Sequence, residues 1–171
     1  IFLATRNGMA ICFNENDARA VGRTASGVKA IDLADGDYVV GAEPVREDSK
    51  VLLVTDGGYG KCTDLTSFRI QHRGGKGLKA YKITEKTGNI IGISMVNDSE
   101  ELIMVTSEGV VIRIRIKDIA TTTGRITQGV RLINLNDGVI VVSMDKISAE
   151  DTVEEESEEN NTEVTAETTE E

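Results

Sequence analysis

The residues best suited to chemistry lie in one short segment, called the box loop below, which reads Gln71-His72-Arg73-Gly74-Gly75-Lys76-Gly77. Its basic side chains suit phosphate oxygens, and its adjacent glycines permit positive φ angles that let backbone N–H groups approach an anion. It is not a Walker phosphate loop, because no glycine stands five residues before Gly75 and Lys76 is followed by glycine rather than Ser or Thr. The segment therefore predicts electrostatic contact with phosphates rather than nucleotide hydrolysis.

Charge is distributed unevenly around this loop. Seven basic and two acidic residues lie between positions 61 and 86, namely Lys61, Arg69, Arg73, Lys76, Lys79, Lys82 and Lys86 against Asp64 and Glu85. The formal net charge of the chain is −10, yet residues 148–171 hold 11 acidic residues and no basic one, which leaves 18 acidic and 19 basic residues in the rest. A nearly neutral body with a basic stripe and an acidic tail is typical of nucleic-acid-binding proteins.

A second basic group lies in residues 111–117. Isoleucines at every second position from Ile112 alternate there with Arg113, Arg115 and Lys117. This period of two predicts a strand with one apolar face that packs inward and an opposite face that carries three positive charges. The charges form either a second phosphate-binding surface or an ordinary solvated strand face.

Nothing in the sequence indicates a catalytic or metal site. Cys12 and Cys62 lie 50 residues apart, and with one histidine in the chain they leave too few soft ligands for zinc, so we expect two free thiols. Tyr38, Tyr59 and Tyr81 lie in strand or turn segments and are expected to pack within the fold. Apolar runs such as residues 1–4 and 51–54 fall far short of the roughly 20 residues that span a membrane, so we expect no membrane association.

The elements that position these residues repeat three times. An apolar strand followed by Thr, two residues and Gly recurs with its threonine at positions 5, 55 and 106, a period of 50 and then 51 residues. Later in each unit, Arg23, Arg73 and Arg125 stand four residues before a glycine that opens another short strand. A last apolar strand closes each unit, as VVGAEPV, IIGISMV and VIVVSMD. Three features in one order at one period predict three copies of one supersecondary unit.

Each unit holds about four short strands joined by turn residues, and no segment shows the period of an amphipathic helix. Four strands per roughly 50 residues predict the blade of a propeller. We therefore predict an all-β, propeller-like fold in which residues 1–147 form an open arc of three four-stranded blades. Residues 148–171 have too little apolar content to form a core, and they predict a disordered acidic tail.

The box loop and the segments around it resemble the C-terminal β-pinwheel domain of the A subunit of bacterial DNA gyrase. That family carries a Gln-basic-Arg-Gly-Gly-basic-Gly box, which QHRGGKG matches with His72 at the second position. The segments TDGGYGKCT, KITEKTGNIIGI and TGRITQGVRLI also resemble its terminal blades, so the resemblance covers residues 1–147 and continues into the acidic tail. In that family the box belongs to the first of six blades, whereas here it lies in the second of three units. This leaves open whether it is the principal box or a later-blade variant.

The resemblance implies sequence-independent binding and wrapping of duplex DNA, in support of ATP-dependent negative supercoiling by a type II DNA topoisomerase. Arg73 and Gly77 recur in the other units and therefore also suit a structural role, whereas Gly74, Gly75 and Lys76 do not recur. The residues assigned to DNA binding are Gln71, His72, Arg73, Gly74, Gly75, Lys76, Gly77, Lys79, Lys82, Arg113, Arg115 and Lys117.

The partners implied are double-stranded DNA, the rest of the A subunit, and the B subunit in an A2B2 heterotetramer. ATP and Mg²⁺ are then used elsewhere in the holoenzyme, in the bacterial cytoplasm at the nucleoid, and this chain itself carries no catalytic residue and no cofactor. Two alternatives stay open. One is the homologous subunit of topoisomerase IV, whose blades typically lack an intact box. The other is a propeller-like protein-interaction platform without DNA binding, for which binding is not expected to depend steeply on salt.

Overall fold

The computed structural model describes residues 1–148, so the predicted acidic tail lies, apart from Ser148, outside the described residues. This part contains strands and three 3₁₀ turns but no α-helix. The strands are β1 (Phe2–Thr5), β2 (Met9–Cys12), β3 (Val39–Glu43), β4 (Lys50–Thr55), β5 (Tyr59–Asp64), β6 (Leu78–Lys79), β7 (Ile90–Val96), β8 (Glu101–Thr106), β9 (Val111–Arg115), β10 (Thr121–Thr122), β11 (Val130–Arg131) and β12 (Val141–Ile147). The 3₁₀ turns are Glu15–Asp17, Leu65–Ser67 and Ile116–Asp118. The predicted all-β class is confirmed, and within residues 1–148 no helix is long and apolar enough to cross a membrane.

The repeated Thr-x-x-Gly phrase forms the same hairpin turn in each unit. Its glycines have φ angles between 77° and 86°, a region that L side chains rarely adopt. In each turn the threonine hydroxyl accepts the N–H of the residue four positions later at 3.1 to 3.2 Å, and the threonine carbonyl accepts the glycine N–H at 2.9 to 3.1 Å. The threonines Thr5, Thr55 and Thr106 are buried. A buried hydroxyl with a fixed partner therefore closes each hairpin, which is why the phrase recurs at the period of the repeat.

The three units form three sheets, and the second and third units each donate short strands to the edge of the preceding blade. The first sheet has the order β3-β1-β2-β6, in which β6 belongs to the second unit. The second has the order β10-β5-β4-β7, with β11 also paired to β5, and both β10 and β11 belong to the third unit. The register places Met9 opposite Lys79 in the first sheet and Tyr59 opposite Arg131 in the second. The edge that receives a strand from the following unit is the outer edge of a blade.

This donation of strands to the preceding blade explains where the fourth strands lie. The repeat predicts a strand in residues 27–31, like those after Gly77 and Gly129, but none forms there, because within residues 1–148 no earlier blade offers an edge to pair with. The third sheet has the order β12-β8-β9 and lacks a fourth strand, since no later unit supplies one in the described part of the chain. The predicted arc of three blades is confirmed. Its fourth strands come from the following unit rather than from the blade's own unit.

Apolar side chains fill the spaces between neighbouring blades. In β4, Val51 and Leu53 face the core shared with the first blade, whereas Leu52 and Val54 face the core shared with the third. The first core also contains Phe2, Ala4, Ala10, Cys12, Phe68, Ala80, Tyr81, Ile90, Ile93 and Met95. The second also contains Cys62, Val96, Leu102, Met104, Ile116, Ile119 and Val141. Because β4 is buried on both faces, its sequence is continuously apolar instead of alternating.

The third blade packs through one face. The strand predicted over residues 111–117 ends at Arg115, because the 3₁₀ turn Ile116–Asp118 follows it and buries Ile116. Within β9 the predicted alternation is confirmed, with exposed residues at Val111, Arg113 and Arg115 and half-buried isoleucines between them. The basic face of β9 therefore lies on the open side of the last blade.

Candidate nucleic-acid interface

The box loop projects from the outer edge of the first blade. Immediately before the loop, Ile70 forms a parallel bridge with Cys12, and immediately after it Leu78 pairs with Ala10. The amide of Gln71 donates to the Cys12 carbonyl at 2.8 Å. Both ends of the loop are therefore fixed to β2 of the first blade, although the loop belongs to the second unit.

Arg73 fastens the middle of the loop to the first unit. Its Nε donates to the carbonyl oxygen of Asp17 at 2.8 Å, and its Nη1 donates to that of Lys29 at 3.0 Å. The neighbouring amide of Gly74 donates to the Ala30 carbonyl at 2.6 Å. Hydrogen bonds from a charged donor are stronger than neutral ones, so Arg73 acts as an anchor between two separate segments of the first unit.

The glycines of the box loop serve different purposes. Gly77 has a φ of 73°, and a Cβ atom there would stand 2.4 Å from the Ala10 carbonyl oxygen, so the close approach of two backbones requires glycine. Gly74 has a φ of 80°, but a Cβ atom would come no closer than 3.6 Å to the Lys29 carbonyl, so only the backbone angle constrains this position. Gly75 has no positive φ and has room for a side chain. A positive φ angle was predicted for both Gly74 and Gly75, but of these two glycines only Gly74 has one.

The cationic side chains of the box loop and of β6 are accessible. His72, Lys76 and Lys79 are exposed, and the His72 Nδ1 atom lies 3.7 Å from the Asp17 carboxylate. Within residues 1–148, Lys76 and Lys79 take part in no ion pair. These two charges are available to a ligand while Arg73 holds the loop.

An acidic pocket lies beside Lys76. Lys76 and three carboxylates of the first unit, Asp32, Asp35 and Asp37, are among the residues that line a cavity of about 430 Å³. A hydrogen bond from Lys29, and to a smaller extent the charge of Lys76, lower the pKa of Asp32. The carboxylates of this pocket therefore compete with a bound anion for the positive charge of Lys76. That competition weakens as salt rises.

One buried amide in the box loop is unsatisfied. The Nε2 atom of Gln71 is buried and has no hydrogen-bond partner within the described residues. Leaving a buried donor unpaired costs about 1–3 kcal/mol, so a local rearrangement that brings an acceptor to it is favourable. The loop is thus well anchored at Arg73 but not fully satisfied at its first residue.

Lys61, which belongs to the basic stripe of the sequence, is completely buried. Its Nζ donates to the carbonyl oxygens of Gly124 and Arg125 and, at 3.1 Å, to the hydroxyl of Thr127. Burial lowers the pKa of Lys61 to about 8. The side chain therefore contributes no surface charge and instead holds the loop of residues 123–129, called the third-unit loop below, which occupies the place of the box loop one blade further on.

Lys82 lies beside the third-unit loop. Its backbone amide donates to the Thr127 carbonyl at 3.0 Å, and its side chain is exposed. The hydroxyl of the buried Tyr81 donates to the Gln128 carbonyl. The chain thus carries an exposed lysine next to each of the two loops, Lys79 at the box loop and Lys82 at the third-unit loop.

The basic residues of the third blade are separate from the box loop. Arg113 forms an ion pair with Glu101, and Arg115 Nε lies 2.8 Å from Asp118 Oδ2. Lys117 is exposed in the 3₁₀ turn and has no ion pair within residues 1–148. The three charges lie on the last blade, while the other predicted contacts lie on or beside the outer edges of the first two. Their role in DNA binding stays a prediction, as it does for the box residues.

The described residues offer little for covalent chemistry or for a metal. No group of three or more His, Cys, Asp and Glu side chains within residues 1–148 could hold a metal ion. Cys12 and Cys62 are buried free thiols, and burial raises the pKa of both, that of Cys62 to about 11. Tyr59 and Tyr81 pack within the fold as expected, whereas Tyr38 is 55% exposed, so the expectation is wrong for that residue.

Arg131 is a basic residue of the outer edge that was not among those assigned to DNA binding from the sequence. It stands opposite Tyr59 in the second sheet, at the register that Lys79 occupies opposite Met9 in the first. The repeat carried the signal, because the segments GLKAY and GVRLI place Lys79 and Arg131 at the same position after their glycines.

An open array of β-blades in which a blade receives its outer edge strand from the following unit defines a β-pinwheel. The chain belongs to the family described as DNA gyrase C-terminal domain, beta-propeller, whose model matches residues 1–46, 49–97 and 100–148. The three matched segments coincide with the three repeat units.

Curated relatives and solved structures agree with this assignment. The chain is 45% identical over 153 residues to the A subunit of DNA gyrase from Staphylococcus epidermidis, and 47% identical over 135 residues to that from Ureaplasma parvum. These alignments cover 88% and 79% of the chain but 17% and 16% of the relatives, so the chain spans about a sixth of their length. The crystal structure of the C-terminal domain of DNA topoisomerase IV matches with a TM-score of 0.83 at 27% identity, over 95% of this chain and 50% of that one. The structure of a DNA gyrase A C-terminal domain matches with a TM-score of 0.76 at 25% identity, over 85% and 50%.

Proposed function

We propose that this chain binds duplex DNA through its phosphates, without regard to sequence, and bends it along the outer edges of successive blades. The observation that carries the proposal is the arrangement of the box loop. Arg73 anchors the loop to the first unit, while Lys76 and Lys79 are exposed and form no ion pair within residues 1–148. Such cations replace the counterions condensed on DNA, which makes binding strong at low salt and independent of sequence.

The donation of edge strands to the preceding blade supports a continuous DNA path along several blades rather than a single DNA-binding site. The second and third units each send a loop and a short strand to the edge of the preceding blade, so basic residues recur from blade to blade. Lys79 lies on β6 of the first edge, and Lys82 lies beside the third-unit loop on the next. A duplex that follows these cations must curve with the arc, and the additional phosphate interactions offset the cost of bending it.

We further propose that the parent protein is the A subunit of a DNA gyrase, in which wrapped DNA supports ATP-dependent negative supercoiling. Its partners would be DNA, the rest of the A subunit, and the B subunit, in the bacterial cytoplasm at the nucleoid. ATP and Mg²⁺ would be bound elsewhere in that assembly, as the resemblance to the gyrase family implies. The A-subunit homologue of topoisomerase IV is the second candidate, since a topoisomerase IV domain is among the similar structures; the intact box favours gyrase.

A salt titration of DNA affinity tests the proposal. Binding of the full chain to a labelled duplex would be measured by fluorescence anisotropy between low and physiological salt, for the wild type and for Lys76→Gln, Lys79→Gln and Arg46→Gln. Arg46 is the charge-matched control, because it is exposed and follows β3, the edge strand opposite β6. Each box-side variant should flatten the slope of log affinity against log salt by about 0.9, while the control should not. Affinity insensitive to salt, or equal in all four proteins, would favour a protein-interaction platform instead.

A further inference from the structure

Two cations converge on the hydroxyl and ring of Tyr59 at the outer edge of the second blade. Arg131 donates to the Tyr59 hydroxyl oxygen from Nε at 3.1 Å and from Nη2 at 2.9 Å. Its Nη1 donates to Asn134 Oδ1 at 2.9 Å. The Lys86 Nζ atom lies 5.8 Å from the centroid of the Tyr59 ring. The second and third units together therefore build one compact cationic cluster.

This cluster contains no acidic residue. Within residues 1–148, neither Arg131 nor Lys86 takes part in an ion pair, and both are exposed. The hydrogen bond from Arg131, followed by Lys86, lowers the pKa of Tyr59, and no carboxylate contributes. Arg113 and Arg115 differ in this respect, because each is paired with a carboxylate. Accessible positive charge without a partner attracts an anion from solution.

The guanidinium of Arg131 keeps donors for such an anion. Arginine has five N–H groups, and the contacts to Tyr59 and Asn134 use three of them. One N–H on Nη1 and one on Nη2 are left. Because Tyr59 is buried and fixed in β5, it holds the guanidinium plane in one orientation. A planar fork of this kind suits the oxygens of a phosphate group.

The place of the cluster in the repeat indicates which phosphate it meets. Arg131 has the register on the second sheet that Lys79 has on the first, opposite Tyr59 and Met9 respectively. A path that starts at the box loop and passes Lys79 reaches Arg131 after advancing by one blade. The ligand expected there is therefore the next stretch of the same duplex backbone.

We infer that Arg131 and Lys86 form a phosphodiester-binding site for duplex DNA on the second blade, with Tyr59 as the residue that positions Arg131. This inference rests on the proposed function and adds to it a contact that lies outside the box loop. The bound group is a phosphodiester oxygen that accepts hydrogen bonds from Arg131 and is neutralised by Lys86. No covalent step is involved.

Charge-neutral variants test the site in the full chain. Arg131→Gln and Lys86→Gln should each flatten the salt slope of duplex binding by about 0.9, which corresponds to roughly an eightfold loss of affinity near 0.1 M salt. Arg46→Gln serves again as the control, and circular dichroism melting checks the fold. If Lys76→Gln weakens binding while Arg131→Gln and Lys86→Gln match the control, the inference is overturned and the proposed function survives. If no variant weakens binding, the proposed function fails first.

A spectroscopic titration gives a second, independent readout. The chain labelled with ¹³C at the tyrosine ζ carbon reports the ionisation of Tyr59, and Tyr59→Phe assigns its signal. Duplex DNA at low salt should raise the pKa of Tyr59, because a bound phosphate screens the cations that lower it. Arg131→Gln should raise the pKa of Tyr59 without DNA and reduce its response to DNA, and the further change Lys86→Gln should remove the remaining response. A response to millimolar inorganic phosphate but none to duplex would mean a site for free anions only, and that outcome contradicts the inference.

Discussion

The Nζ atom of Lys61 lies 5.2 Å from the centroid of the Tyr81 ring, and both side chains hold the third-unit loop. Lys61 donates to the Arg125 carbonyl, and the Tyr81 hydroxyl donates to the Gln128 carbonyl. Both side chains are fully buried, and the hydrogen-bond acceptors of the lysine within residues 1–148 are carbonyl and hydroxyl oxygens rather than carboxylates. The junction between the second and third units is therefore sensitive to the protonation of one lysine.

We predict that Lys61 makes stability depend on pH in the alkaline range. Its pKa is about 8 in the folded chain and 10.5 ordinarily, so between these values the unfolded chain keeps a proton that the folded chain has released. The free energy of unfolding should consequently rise with pH across this window, by up to about 3 kcal/mol. The measurement is urea unfolding of wild type and Lys61→Met at several pH values, read as the difference between the two proteins.

The comparison of wild type with Lys61→Met is needed because Cys62 changes the free energy of unfolding in the opposite direction as pH rises. Its thiol pKa is raised to about 11 from 9.0, so its contribution to stability falls as pH rises above 9. Lys79→Met is a matched control, because Lys79 is exposed and takes part in no ion pair within residues 1–148. A flat difference between wild type and Lys61→Met from pH 8 to 10 would show that the buried ammonium keeps an ordinary pKa.

Arg73 should act on the fold, and Lys76 on DNA binding. Arg73→Gln removes two charge-assisted hydrogen bonds to the first unit and should destabilise the chain by about 1.5–3 kcal/mol. It should also speed amide hydrogen exchange at Gly74, which donates to Ala30. Lys76→Gln should leave stability within about 0.5 kcal/mol of wild type while flattening the salt slope. If Arg73→Gln flattens the slope and leaves stability unchanged, Arg73 is a phosphate contact and not an anchor.

The glycines of the box loop should differ in their tolerance of a side chain. Gly77→Ala places a Cβ atom 2.4 Å from the Ala10 carbonyl oxygen at a φ of 73° and should cost several kcal/mol, on the order of 3 or more. Gly75→Ala has room and an ordinary backbone angle and should be nearly neutral. Thermal melting of the two variants decides the point, with Gly74→Ala expected between them because it meets strain without a clash. A Gly75 variant as unstable as the Gly77 variant would contradict this division of roles within the loop.

The repeat made the architecture predictable. Each of the three units has an apolar strand, a Thr-x-x-Gly turn and a short strand that begins after a glycine, and few folds combine these features. It could not reveal that β6 and β11 pair with the preceding blade, since periodicity records which residues face inward and not which edge they join. The burial of Lys61 was hidden for a related reason. A lysine in a strand ordinarily indicates a solvated face, and only the third-unit loop, distant in sequence, supplies the oxygens that bury it. The equivalence of Lys79 and Arg131, in contrast, was present in the repeat.

The open face of the third blade gives the last prediction. Ile116 is 1% exposed and belongs to the core between the second and third blades, so Ile116→Ala should cost about 2–5 kcal/mol. The combined change of Arg113, Arg115 and Lys117 to Gln should cost little, because exposed ion pairs such as Arg115–Asp118 contribute at most about 1 kcal/mol each. Urea unfolding measures both effects, and the triple variant also shows by its salt slope whether this face contacts DNA. If the triple variant proves as unstable as Ile116→Ala, the basic face is part of the packed structure. In that case β9 and the following turn do not have an inward apolar face and an outward charged face.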